Sequence, residues 1–300
     1  MTERRRATSI AEFNDKMQGF ITPEGFAHAE AFKPRPDDII VSTYAKAGTT
    51  WMQQIVHGLR TKGDMDFGEI TDVVPWIELA HDVDWDITGE QKASPRAYKT
   101  HYEYGGVPKG ARYIWVVRNP KDTAVSFYNF MNGWILERDS VSIDHFVQDF
   151  FLERAAPRGY WSHLVGWYKA CATDDVLALT FEDMKDDLPG AVKRVAAFMD
   201  CTDAAAIDVA TKQAHFSFMK ANERQFDDHP LAKARCAALM LPEGAGSSKV
   251  KSGTVGGHKN TLSDETISML DAKWAEVVEP QLGFADYAAL REALTLNRVG

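Results

Sequence analysis

A short apolar run, Ile39-Ile40-Val41, leads within a few residues into Lys46-Ala47-Gly48-Thr49-Thr50-Trp51. No other stretch constrains the fold as much. It reads as a strand, a tight basic turn and a helix opening on two hydroxyls. The first N–H groups of a helix are unpaired and carry the positive end of its dipole, so the turn is a seat for a phosphate-like anion. It is not a Walker A loop, because Lys46 precedes the glycine and no earlier glycine stands at the required spacing.

The pattern then repeats. Tyr113-Ile114-Trp115-Val116-Val117 is too continuous to alternate, as strands of a parallel sheet between helix layers are. Asn119-Pro120 closes it with a capping residue and a proline at the first helical position. Val176 to Thr180 is another buried strand, and Arg96 to His101 a short extended piece. Trp51, Ile55 and Leu59 stand at helical spacing, which predicts a helix from Thr49 to about Arg60. Further helices are expected through Ala124, Phe127 and Met131 and near 141–154, 159–172, 187–200 and 262–278. Residues 10–36 read as a helix and a loop, and 62–95 as loop-rich. Strands alternating with helices mean an α/β fold: a P-loop-like domain with a central parallel sheet flanked by helices. One domain is expected over residues 1–300. The stretch 226–257, with Pro230, Pro242 and several glycines, shows little periodicity and is expected to be a mobile lid or loop.

Composition narrows the function. With 45% hydrophobic residues the chain can bury a sizeable core, and its net charge of −9 argues against a general nucleic-acid binder. Any bound anion must be held by local lysines and arginines. Cys171, Cys201 and Cys236 lack metal-ligand spacing and cannot all pair, so no metal site is expected and a reducing compartment fits. No apolar run approaches the roughly 18 residues of a membrane span, and the start MTERRRATS lacks the apolar core of a secretory signal. A soluble, cytoplasmic protein is expected, with neither membrane nor nucleic acid as partner.

Three more segments carry chemistry. Arg118 ends a central strand, where ligands of open α/β sheets bind, and Ser126 lies seven residues past Asn119 on the same helix face. Guanidinium and hydroxyl together suit a second phosphate. Lys251-Ser252-Gly253-Thr254-Val255-Gly256-Gly257 is a basic, glycine-rich segment able to fold over a nucleotide. Lys99-Thr100-His101 ends a strand with a group that titrates near neutrality.

Together these segments resemble the cytosolic-type sulfotransferases that use 3'-phosphoadenosine 5'-phosphosulfate. TYAKAGTTW resembles that family's 5'-phosphosulfate loop, and VVRNPKDTAVSFYNF its 3'-phosphate segment. KTH resembles its catalytic-histidine segment, VKSGTVGGHKN its late glycine-rich region, LTFEDMKDDL another recurrent stretch and VPWIEL a substrate-side one. The resemblance runs from about Asp37 to Asn260.

It implies that Lys46, Gly48, Thr49 and Thr50 hold the phosphosulfate while Trp51 and Phe216 pack on adenine. Arg118 and Ser126 would grip the 3'-phosphate, with Lys251, Ser252 and Gly253 closing over it. His101 would act as general base, with Lys46 and Lys99 stabilising oxygens that gain charge. Trp76 and Phe130, with His101, would line a pocket for a small acceptor bearing a hydroxyl or amine. Phe20, Trp76, Phe130 and Trp134 lean toward an aromatic or apolar acceptor. The chain departs from the family where Lys251 stands for an arginine, Ser252 for a lysine, His258 for a tryptophan and Phe181 for a tyrosine. The C-terminal dimer signature is not met after Lys259. Three alternatives keep part of the pattern: a carbohydrate or glycolipid sulfotransferase, a P-loop-type small-molecule kinase, and a non-catalytic 3'-phosphoadenosine nucleotide-binding protein.

Overall fold

Strand β1, Ile39–Thr43, is buried along its whole length because its alternate residues serve two cores. Ile39 and Val41 pack with Ile114, Val116 and Leu179 on one face of the sheet. Ile40 packs with Tyr98, Tyr113 and Trp115 on the other. A strand sandwiched in this way has no polar face, hence the unbroken apolar run. The computed structural model describes residues 4–154, 158–251, 253 and 255–296.

Strands β2 (Ala97–Thr100), β3 (Arg112–Val117) and β4 (Val176–Thr180) complete a parallel sheet of order β2-β1-β3-β4. Ile39 faces Ala97 on one side and Arg112 on the other, and Tyr113 faces Val176. The α/β parallel architecture expected from the sequence is therefore present. This register sets the carboxyl ends level, with Ser42 opposite Thr100 and Thr43 opposite Val116. The Lys46 loop, His101 and Arg118 consequently leave the sheet at one edge. The chain steps outward from β1 to β2 on one side and from β3 to β4 on the other. The crevice between β1 and β3 is thus the switch point at which open sheets of this kind bind ligands.

Helix Thr49–Thr61 lays Met52, Ile55, Val56 and Leu59 on the first core. Helix Pro120–Met131 starts as its sequence dictates: the Asn119 side chain accepts from the Lys121 N–H, and Pro120 fills the first position. Its Ala124 and Phe127 join the second core, as does Trp167 of helix Tyr160–Ala170. Leu188–Phe198 and Asp264–Val277 form the remaining expected helices.

Elsewhere the structure departs from the sequence reading. Residues 10–36 hold two helices, Ile10–Gln18 and Pro23–Ala31, the second begun by a Thr22 cap and Pro23. Between 141 and 154 the helix is a short α turn, Ile143–Phe146, continued by a π turn, Val147–Phe151. Helix Ala204–Gln213, capped by Asp203, fills a span with no expected element and packs so closely that a Cβ at Gly58 would lie 3.2 Å from Ala210. The reading of 226–257 as a continuous loop is corrected. It contains helix His229–Ala238 and passes into a 3-10 turn, Gly257–Asn260. Alanine, lysine and arginine supply that helix's propensity, but its few apolar residues give too weak a periodic signal.

Candidate active site

A cavity of about 860 Å³ opens at the carboxyl edge of the sheet. It gathers Lys46, Gly48, Thr49, Thr50, Trp51, Trp76, Lys99, His101, Arg118, Ser126, Phe130, Phe216, Lys251 and Gly253 into one lining. Ser252 lies outside the described residues.

The loop after β1 takes its shape from two left-handed residues, Lys46 (φ 71°) and Gly48 (φ 111°). Lys46 bears the strain that such a φ imposes on a side-chain-bearing residue, a cost typical of functional loops. A Cβ at Gly48 would in addition lie 3.1 Å from the Phe181 ring. Gly48→Ala should therefore cost about 1–3 kcal/mol in strain and overpacking, read as a lowered unfolding temperature and weakened nucleotide binding.

Arg118 reaches back across the crevice. Its Nη1 donates to the Lys46 carbonyl at 3.1 Å, and its guanidinium lies 4.3 Å from the centre of the Phe181 ring. One cation thus both fixes the loop backbone and faces the cavity. Asp122 and Glu182, whose charges act on Arg118, also hold other groups. Asp122 accepts from the Gly256 N–H at 2.7 Å and pairs with His258 Nδ1 at 2.7 Å, fastening the glycine-rich stretch to helix Pro120–Met131. Glu182 accepts from the Asn119 N–H at 3.1 Å and the Tyr287 hydroxyl at 2.5 Å.

Trp51 donates its indole N–H to the Ala214 carbonyl at 2.8 Å and meets Phe181 edge-on. Phe216 is 47% exposed and lines the cavity, an unusual placement for a large apolar ring. The Thr49 hydroxyl shares a 2.5 Å hydrogen bond with Thr43. Its backbone N–H at the helix start is a second group suited to an anion. Lys251 donates to the Asn129 carbonyl at 2.5 Å, and the Gly253 carbonyl accepts from Lys185.

At the other end, His101 is pinned twice. Its N–H donates to Glu78 Oε1 at 2.7 Å, and its Nδ1 lies 2.7 Å from the Thr43 carbonyl oxygen. A carbonyl only accepts, so Nδ1 carries the proton and Nε2 keeps the lone pair. The ring stands edge-on to Trp76 at 4.8 Å. Burial, followed by the charge of Lys99, pushes its pKa down to about 3, so the ring is neutral at physiological pH. Lys46, 3.9 Å from the centre of the Phe130 ring, is lowered to about 7 by burial and then by Lys251 and Arg118. Lys99 is lowered to about 8, chiefly by burial. Its ammonium lies 3.3 Å from Asp228 while the side chain lines the cavity. Phe20, Trp76, Phe130 and Trp134 wall this end, with Phe20 6.0 Å from Trp76 and Phe130 5.1 Å from Trp134.

Sequence reasoning missed four groups here. Thr43 and Glu78 fix the histidine, but each is one ordinary residue in a stretch singled out for its neighbours. Asp228 and Lys249 reach the site from a segment with no strong pattern, and only the fold brings them in.

The family model for the sulfotransferase domain matches residues 36–279, most of the chain. This chain belongs to the sulfotransferase family. It is an enzyme of the class its motifs resemble. The sulfotransferase 1B1 of Canis lupus familiaris is 31% identical over 77% of this chain and 80% of its own. The amine sulfotransferase of Oryctolagus cuniculus is 30% identical over 71% and 74%. Among solved structures, mouse sulfotransferase SULT7A1 complexed with PAP superposes with a TM-score of 0.66 at 21% identity, covering 93% of this chain and 94% of that one. A retinol dehydratase in complex with retinol and PAP gives 0.70 at 16%, covering 93% and 97%. These two share the sulfotransferase fold.

Proposed function

We propose that this sulfotransferase moves a sulfuryl group from 3'-phosphoadenosine 5'-phosphosulfate to the hydroxyl or amine of a small aromatic or apolar acceptor, with His101 as general base. The observation that carries this reading is the His101 tautomer, fixed by Thr43, in a cavity continuous with the Lys46 loop. A neutral imidazole with its accepting nitrogen free suits proton abstraction at physiological pH.

The lining fits the donor. Trp51 and Phe216 offer ring surface to a purine, the N–H groups opening helix Thr49–Thr61 suit the 5' anion, and Arg118 with Ser126 suits the 3'-phosphate. When bound, the donor supplies the electrophilic sulfuryl group. The protein holds it in line with the acceptor, and Lys46 and Lys99 stabilise oxygens that gain charge. The aromatic wall of Phe20, Trp76, Phe130 and Trp134 favours a flat or apolar acceptor over a sugar. The three cysteines are free thiols, which suits the cytoplasm proposed as its location.

The test is incubation with the donor and a mixed panel of phenols, alcohols, amines and sugars, with sulfated products read by mass spectrometry. Products confined to sugars would refute the proposed acceptor class. Phe216→Ala should weaken nucleotide binding about 5- to 100-fold, the range of one lost stacking contact, as measured by calorimetry.

Lys46 gives a further expectation. With pKa values of about 7 and 8, Lys46 and Lys99 are partly neutral at pH 8 in the free enzyme. A bound anion favours their charged forms, so nucleotide binding at pH 8 should take up protons and weaken as pH rises. Calorimetry in buffers of different ionisation enthalpy measures the uptake. Uptake of no proton at pH 8 would contradict it.

A further inference from the structure

Asp228 begins helix His229–Ala238 in the left-handed region (φ 55°), and its carboxylate is 4% exposed. Oxygen Oδ2 lies 3.3 Å from the Lys99 ammonium and is also bonded by the Lys249 ammonium. Oxygen Oδ1 accepts from the Thr71 hydroxyl at 2.5 Å, and the Asp228 N–H donates to Glu69 at 2.8 Å. The two lysine side chains are only 3% and 13% exposed, and both line the cavity that holds His101.

Two ammoniums gathered in an enclosed site repel each other, and burial drives each toward the neutral amine. A neutral amine offers little to an oxygen gaining negative charge. The carboxylate between them offsets that repulsion. We infer that Asp228 is a positioning residue that favours the protonated forms of Lys99 and Lys249 beside His101, most of all with an anionic donor bound, and that Lys249 is a further catalytic ammonium for the transferring group. This rests on the sulfuryl-transfer reading above. It gives the 226–257 segment a part in the chemistry, beyond covering the nucleotide.

The neighbouring charges pull in both directions. Burial lowers Lys249 well below the usual lysine range, and Lys99 and Lys46 lower it further, while Glu69 and Asp227 act the other way. Lys99 is supported by Glu78, by a hydrogen bond with Lys249 and by Glu69. His101 in turn feels Lys99, Lys249 and Lys46, so the three lysines form one electrostatic unit with it.

The experiment compares wild type with Asp228→Asn, Lys249→Met and Lys249→Arg in the full chain at saturating donor. Asp228→Asn should lower kcat about 10- to 100-fold at pH 8 and move the alkaline limb of its pH profile down by about one unit, with activity partly regained near pH 6. Lys249→Met should lower kcat about tenfold with little change in acceptor KM, and Lys249→Arg should restore most of it. Binding of 3'-phosphoadenosine 5'-phosphate supplies a readout independent of turnover. At pH 8, Asp228→Asn should take up about half a proton more than wild type, because its lysines start more neutral. Wild-type kcat in Lys249→Met, or an unshifted pH limb together with unchanged proton uptake in Asp228→Asn, overturns the inference. Absence of sulfuryl transfer by wild type would instead overturn the functional reading, leaving the proton-uptake result to decide the role of Asp228. Unfolding temperatures separate these effects from loss of fold, and the Lys249 pair remains decisive should Asp228→Asn fail to fold.

Discussion

His101→Ala should cut turnover about 100-fold or more while leaving nucleotide affinity within a few-fold of wild type. The split follows from where the ring sits. His101 follows β2, against Trp76 and the Thr43 carbonyl, whereas Arg118 follows β3, across the switch point, and the loop opening helix Thr49–Thr61 lies between them. Its depressed pKa of about 3 has a definite sign: the neutral, proton-accepting form dominates at every pH above that value in the free enzyme. Protonation of His101 should therefore not reduce kcat/KM for the donor between pH 8 and 5, unlike a histidine of ordinary pKa near 6.5. Stopped assays across that range, with calorimetry on the variant, check both halves. A variant with wild-type turnover would remove the base assignment.

Arg118→Met should act at the opposite end, lowering affinity for 3'-phosphoadenosine 5'-phosphate about 100-fold or more. Two losses combine in that figure. A charge-assisted contact to phosphate contributes about 1.5–3 kcal/mol. The same side chain also ties down the Lys46 carbonyl, so its removal loosens the strained loop that presents Lys46. Binding of adenosine 5'-phosphate, which lacks the 3' group, should fall much less. Calorimetry with the two nucleotides measures that contrast. Equal losses for both would mean that Arg118 serves only the loop.

What the sequence revealed of this molecule follows from where its physics is local. The strands β1 and β3 were legible because burial on both faces writes an unbroken apolar run. Helix Pro120–Met131 was legible because Asn119 and Pro120 write a start signal. The anion seat was visible for the same reason, as strand, turn and helix start are contiguous in the chain. Helix His229–Ala238 was missed because a helix with few buried apolar residues has little period to detect. The Asp228 bridge was missed because it joins residues from β2, the short helix Ile70–Val73 and the late segment. Such a contact exists only once the fold has formed.

The most direct test is a single-turnover reaction with labelled 3'-phosphoadenosine 5'-phosphosulfate, a phenolic or apolar alcohol acceptor, and wild-type or His101→Ala protein side by side. Sulfated acceptor and 3'-phosphoadenosine 5'-phosphate should form in equal amounts with wild type, and the variant should retain bound donor almost unconverted. Equal conversion by both proteins, or nucleotide that never binds to either, would contradict the site described here.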